Sequence, residues 1–99
     1  MRRGSTPTHT FTLPPNTVGD ITAVEVTYKQ NGEIILQKRE QDCTIKGKVI
    51  FVALSQEDTF LFDDDAMVKI QIRVKIDDKV FTSNVMRVSC RECLSSEVL

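Results

Sequence analysis

Apolar and polar side chains alternate with period two along most of this chain, and Val68-Lys69-Ile70-Gln71-Ile72-Arg73-Val74-Lys75-Ile76 is the longest strict run. Successive side chains leave a strand on opposite sides, so this segment predicts an antiparallel strand with one aliphatic face and one wet face. Thr8–Leu13 repeats the pattern, with His9, Phe11 and Leu13 sharing a face and Thr8, Thr10 and Thr12 opposite, before Pro14-Pro15-Asn16 ends it. Ile21–Gln30, carrying Val24, Val26 and Tyr28, leads into Asn31-Gly32, the pair best suited to the positive φ angles of a type I′ turn. Glu33–Arg39 is then its hairpin partner. Cys43–Ile45 and Lys48–Leu54 flank Lys46-Gly47 as a second hairpin, and the second of these strands has apolar residues on both faces and is expected to be central.

Ser55 followed by Gln56-Glu57-Asp58 has the form of a helix N-cap and an acidic first turn, which predicts a short helical turn through Phe60, Leu61 and Phe62. Asp63-Asp64-Asp65 is a loop, Asp77-Asp78 a tight turn, and Lys79–Cys90 the last strand, with Met86, Val88 and Cys90 on one face. Seven strands with closely spaced turns and one helical turn predict an all-β, antiparallel Ig-like sandwich. The 99 residues form a single domain, 1–99, with 1–7 and 91–99 expected to be flexible.

Composition narrows the chemistry. Thirteen basic and fourteen acidic residues leave a net charge of −1, so no global field draws the chain to nucleic acid. The longest apolar run, Val49–Leu54, is far below the ~20 residues of a membrane span. The start, Met1-Arg2-Arg3-Gly4-Ser5, lacks the apolar stretch of a signal peptide. Three cysteines suit a reducing cytoplasm and free thiols better than a disulfide framework.

Cys90-Arg91-Glu92-Cys93 has a C-x-x-C spacing, but Cys90 continues a strand, whereas a redox pair sits at a helix N-terminus. Zinc would need Cys43 and His9 to join Cys90 and Cys93, with no second paired-ligand spacing in support. The bland reading takes Cys90 as a buried small hydrophobe, Cys93 as a tail thiol and His9 as a core or rim residue. The run Asp63–Asp65, near Glu57 and Asp58, lacks the alternation and glycine of a calcium loop and reads as solvated. Lys69, Arg73 and Lys75 read as a solvated face that discourages edge pairing. Neither a G-x-S-x-G elbow nor a phosphate loop occurs, so no catalytic residue, metal or cofactor is expected.

Residues Arg3-Gly4-Ser5-Thr6-Pro7-Thr8-His9-Thr10-Phe11-Thr12-Leu13-Pro14 resemble the opening of small proteins encoded in prophages of Gram-positive, gut-type Clostridia. Val26–Asn31, Asp42-Cys43-Thr44, Leu54–Thr59, Ile70–Val74 and the ending Cys93-Leu94 with Glu97-Val98-Leu99 extend the resemblance over the chain. The start is also similar to the first strand of Ig-like domains in phage baseplate and tail proteins. These resemblances, together with the absence of a catalytic set, lead to the expectation of a non-enzymatic structural or assembly module whose partners are phage structural proteins or further copies of itself, while the near-neutral charge and short apolar runs argue against nucleic acid and membrane. The resemblances imply the host cytoplasm during assembly as its place, and the virion if it is incorporated. A carbohydrate- or host-surface-binding sandwich is the alternative, weakened by a single tyrosine and no tryptophan. A metal-dependent regulator is the third reading.

Overall fold

The computed structural model describes all residues, Met1–Leu99, as two antiparallel sheets packed face to face. Strands β1 (Thr8–Thr12), β5 (Val49–Ala53) and β4 (Cys43–Lys46) form one sheet in the order β1-β5-β4. The other sheet has the order β3-β2-β6-β7, from β3 (Glu33–Arg39), β2 (Ile21–Gln30), β6 (Met67–Ile76) and β7 (Lys79–Thr82). Strand β8 (Met86–Ser89) pairs with β6 beyond β7. A 3-10 turn, Glu40–Asp42, joins β3 to β4, and one short helix, α1 (Gln56–Phe60), joins β5 to β6. No helix is long and apolar enough to cross a membrane.

Alternation builds the core. Val24, Val26 and Tyr28 of β2 and Val68, Ile70, Ile72, Val74 and Ile76 of β6 face Phe11, Ile50, Val52 and Leu54 of the smaller sheet, all buried. The register seats Val24 opposite Val74, Val26 opposite Ile72 and Tyr28 opposite Ile70, so the unbroken aliphatic inner face of β6 is matched by the mainly apolar inner face of β2. The hairpin turn forms as its residues require: Asn31 and Gly32 have φ of 54° and 78°. Ser55 caps α1 reciprocally, its Oγ accepting from Asp58 N at 3.0 Å while its own N–H donates to Asp58 Oδ2 at 2.9 Å.

Three expectations need correction. The helix is Gln56–Phe60, ending before Phe62. Strand β5 is central in its sheet, but only Ile50 and Val52 are buried, because nothing packs on its other face, where Ala53 is exposed. The last strand is two, since one residue more lies between Thr82 and Met86 than between their partners Arg73 and Ile70. Ser83 stands in for the missing ladder: its N–H donates to Ile72 O, and its Oγ accepts from Ile72 N at 3.0 Å.

The chain ends meet. Arg3 N donates to Arg91 O and Arg91 N to Met1 O, a parallel bridge, while the Gln56 carboxamide exchanges two hydrogen bonds with the backbone of Leu99.

The strand order and connectivity match those of strands B to G of an immunoglobulin-type sandwich. In that scheme β1, β4 and β5 take the places of strands B, D and E, and β2, β3, β6 and β7–β8 those of C, C′, F and G. On its outer edge β1 pairs with no further strand of these residues, and residues 1–3 instead form the short bridge to Arg91.

Candidate binding site between the sheet edges

The unpaired edge of β1 borders a groove. It holds about 410 Å3 along the flank where the edges of β1 and β7–β8 face each other. Phe11 and Leu13 line one wall, Ile72, Val74 and Ile76 the floor, and Phe81 and Met86 the other wall. Phe81 is 52% exposed although its register with Val74 points it inward. An aromatic ring aimed at the core and still half in water means the core stops short there.

The rim of this groove is a free strand edge. In β1 the backbone groups of odd-numbered residues face β5, since Leu13 N donates to Lys48 O and Pro7 O accepts from Leu54 N. The N–H and C=O groups of Thr8, Thr10 and Thr12 therefore point away from the sheet, a ladder open to an added strand. The groove was not legible in the sequence: in one continuous strand Phe81 falls on the face opposite Met86, Val88 and Cys90, and only the extra residue between Thr82 and Met86 turns both inward.

The residues considered for zinc lie apart. His9 and Cys43 share a cross-strand row on either side of Val52, whereas Cys90 is buried under the Asp63–Asp65 loop and Cys93 lies in the tail. No group of three or more His, Cys, Asp or Glu side chains converges, in the acidic loop or elsewhere. Burial pushes the Cys43 thiol up, reinforced by Asp42 and Glu40 and opposed by Lys38. Burial likewise raises Cys90, against the Met1 amino group and Arg3, with Asp64 and Asp63 adding to the rise. Both thiols are thus held in the form that is poor as nucleophile or ligand.

His9 Nδ1 and Tyr28 Oη lie 2.8 Å apart between the sheets. Burial, then the charges of Cys43 and Asp58, raises the Tyr28 hydroxyl, which stays protonated and can donate to the neutral ring. Burial first, and then the Met1 amino group, lowers His9 below its usual 6.5. The unfolded chain therefore takes up this proton at a higher pH than the folded one, and stability falls as pH drops from about 7 through the lowered value. Urea denaturation at pH 7 and 5 should show this loss, and His9→Gln should flatten it; an unchanged slope in the variant would assign it to other groups. At Asp58, burial acts upward, but the Ser55 N–H and Lys38, 2.9 Å away, outweigh it and lower the carboxyl. Its contribution is present above the ordinary value near 4 and lost as pH falls through the depressed one.

Comparison with protein-family models, with curated proteins and with solved structures finds no match for this chain. Fold and geometry define it as an all-β protein of the two-sheet sandwich class with one sheet edge left open.

Proposed function

We propose that this chain is a non-enzymatic assembly module of a phage or prophage, tail- or baseplate-associated, acting through protein–protein contacts. The observation that carries this reading is the open flank, where the free edge of β1 borders an apolar groove that a further strand would fill. An extended partner segment can bond to Thr8, Thr10 and Thr12 and place alternate apolar side chains over Phe81 and Met86, the mode of β-strand addition. The resemblance of the sequence to prophage proteins suggests phage structural proteins or another copy of the chain as the source of that segment. The carbohydrate reading is weaker, since Tyr28, the one tyrosine, is fully buried and offers no ring to a sugar.

Affinity capture of proteins encoded beside this gene, with light scattering of the isolated chain, tests the reading. A tail or baseplate component, or a second copy, should be retained by the native chain. Thr10→Pro deletes a donor on the free edge without touching the β1–β5 ladder and should abolish retention, as should Phe81→Glu. A strict monomer that retains no such component, or retention indifferent to both variants, would refute it.

A further inference from the structure

The outer face of the five-stranded sheet gathers cations that are scattered in the sequence. Register sets Arg39, Glu25 and Arg73 in one cross-strand row and Lys29, Lys69 and Arg87 in another, with Lys75 beside Ala23 beyond them. Six of the chain's thirteen cations thus share one face of a protein whose net charge is −1. Glu25 is the one carboxylate among the outward positions of these strands, and Glu40 stands at the margin. Glu25 binds Arg39 at 2.8 Å and Arg73 at 3.5 Å, whereas Lys29, Lys69, Lys75 and Arg87 form no ion pair.

Like charges directly opposite across strands are destabilising. The row Lys29-Lys69-Arg87 sets three together with no counter-charge, an arrangement that strand pairing alone disfavours. Shallow depressions of about 190 and 310 Å3 flank Glu25, giving incoming side chains room beside the cations.

We infer that this face docks an acidic surface of a partner protein. Charge complementarity requires an anionic partner, and two features select protein over nucleic acid. The face has no aromatic side chain on which a base could stack. Ile34, Met67 and Val80, each more than half exposed, stand beside the cations and offer apolar area that phosphates do not use. The inference rests on the protein-contact reading and adds a second surface, on the outer side of the sheet and separate from the groove.

The full chain is titrated by fluorescence anisotropy against labelled poly-glutamate of about 20 residues and a duplex of about 20 base pairs, at roughly 50 and 200 mM salt. Poly-glutamate should bind the more tightly and weaken about tenfold between the two salts. Lys29→Gln/Lys69→Gln/Arg87→Gln should weaken it at least about tenfold while melting no lower than the native chain, since a repulsive row is relieved. Lys46→Gln/Lys79→Gln, off this face, should bind as the native chain does. Tighter binding of the duplex, equal loss in the second variant, or no peptide binding at the lower salt would overturn the inference. A chain that ignores poly-glutamate yet still retains a partner through β1 overturns this inference alone and leaves the assembly reading standing.

Discussion

Phe62→Ala should lower the unfolding free energy by about 3–5 kcal/mol, the largest single effect expected in this chain. Phe62 is 1% exposed, and its ring meets that of Tyr28 edge to face with centroids 6.0 Å apart. It lies just past α1, between the helix and the acidic loop, where it closes one end of the sandwich core. Truncation removes its buried area and its aromatic contact and leaves a void beside Tyr28. In a domain of this size that loss should lower the melting temperature by more than about 10 °C. Phe62→Leu, which keeps most of the volume, should remain folded and lose clearly less. Calorimetry finding the alanine variant within about 1 kcal/mol of the native chain would show that this end of the core relaxes to fill the gap.

The second large effect is expected at Gln30. Its side chain is buried, with Nε2 donating to Asp63 O at 2.7 Å and Ala66 O at 3.2 Å, and Oε1 accepting from Asp63 N at 2.7 Å. One carboxamide thus satisfies three backbone groups and ties the loop between α1 and β6 to the end of β2. Gln30→Leu fills similar volume but leaves all three groups unpaired, which should cost about 2–4 kcal/mol, with loop opening limiting the loss. Gln30→Glu should be at least as damaging at neutral pH, because an oxygen then faces two carbonyls. Hydrogen exchange should show the Asp63 and Asp65 amides losing protection well ahead of the centre of β6. If both amides exchange as slowly as in the native chain, the loop is held by something other than Gln30.

Gln30 also illustrates what could not be read from the chain. In sequence it is the polar last residue of a strand before Asn31-Gly32, indistinguishable from a solvated turn flank. Its burial follows from a loop more than thirty residues later folding over it. The acidic run Asp63–Asp65 similarly read as a free loop, and only the fold shows it anchored by Gln30 and by Asp65 N donating to Cys90 O. His9 was legible as an inward residue because its face is shared with Phe11 and Leu13, but its partner, the Tyr28 hydroxyl, lies in the other sheet. Lys69, Arg73 and Lys75 were visible as one stripe. Lys29, Arg39 and Arg87 joined them only when β2, β3 and β8 were set beside β6 in register.

By itself, then, the sequence determined the local events. Period-two alternation assigned inner and outer faces, Asn31-Gly32 turned the first hairpin, Ser55 capped the helix, and proline ended β1, each through backbone sterics or hydrogen bonds within a few residues. Tertiary structure alone decided which strand lies beside which, and with that the open edge of β1, the groove under Phe81 and Met86, and the six-cation face. The physical reason is that alternation specifies a face but not a neighbour. Strand partners are chosen by the best mutual burial of whole faces, and that balance involves residues distant in the chain.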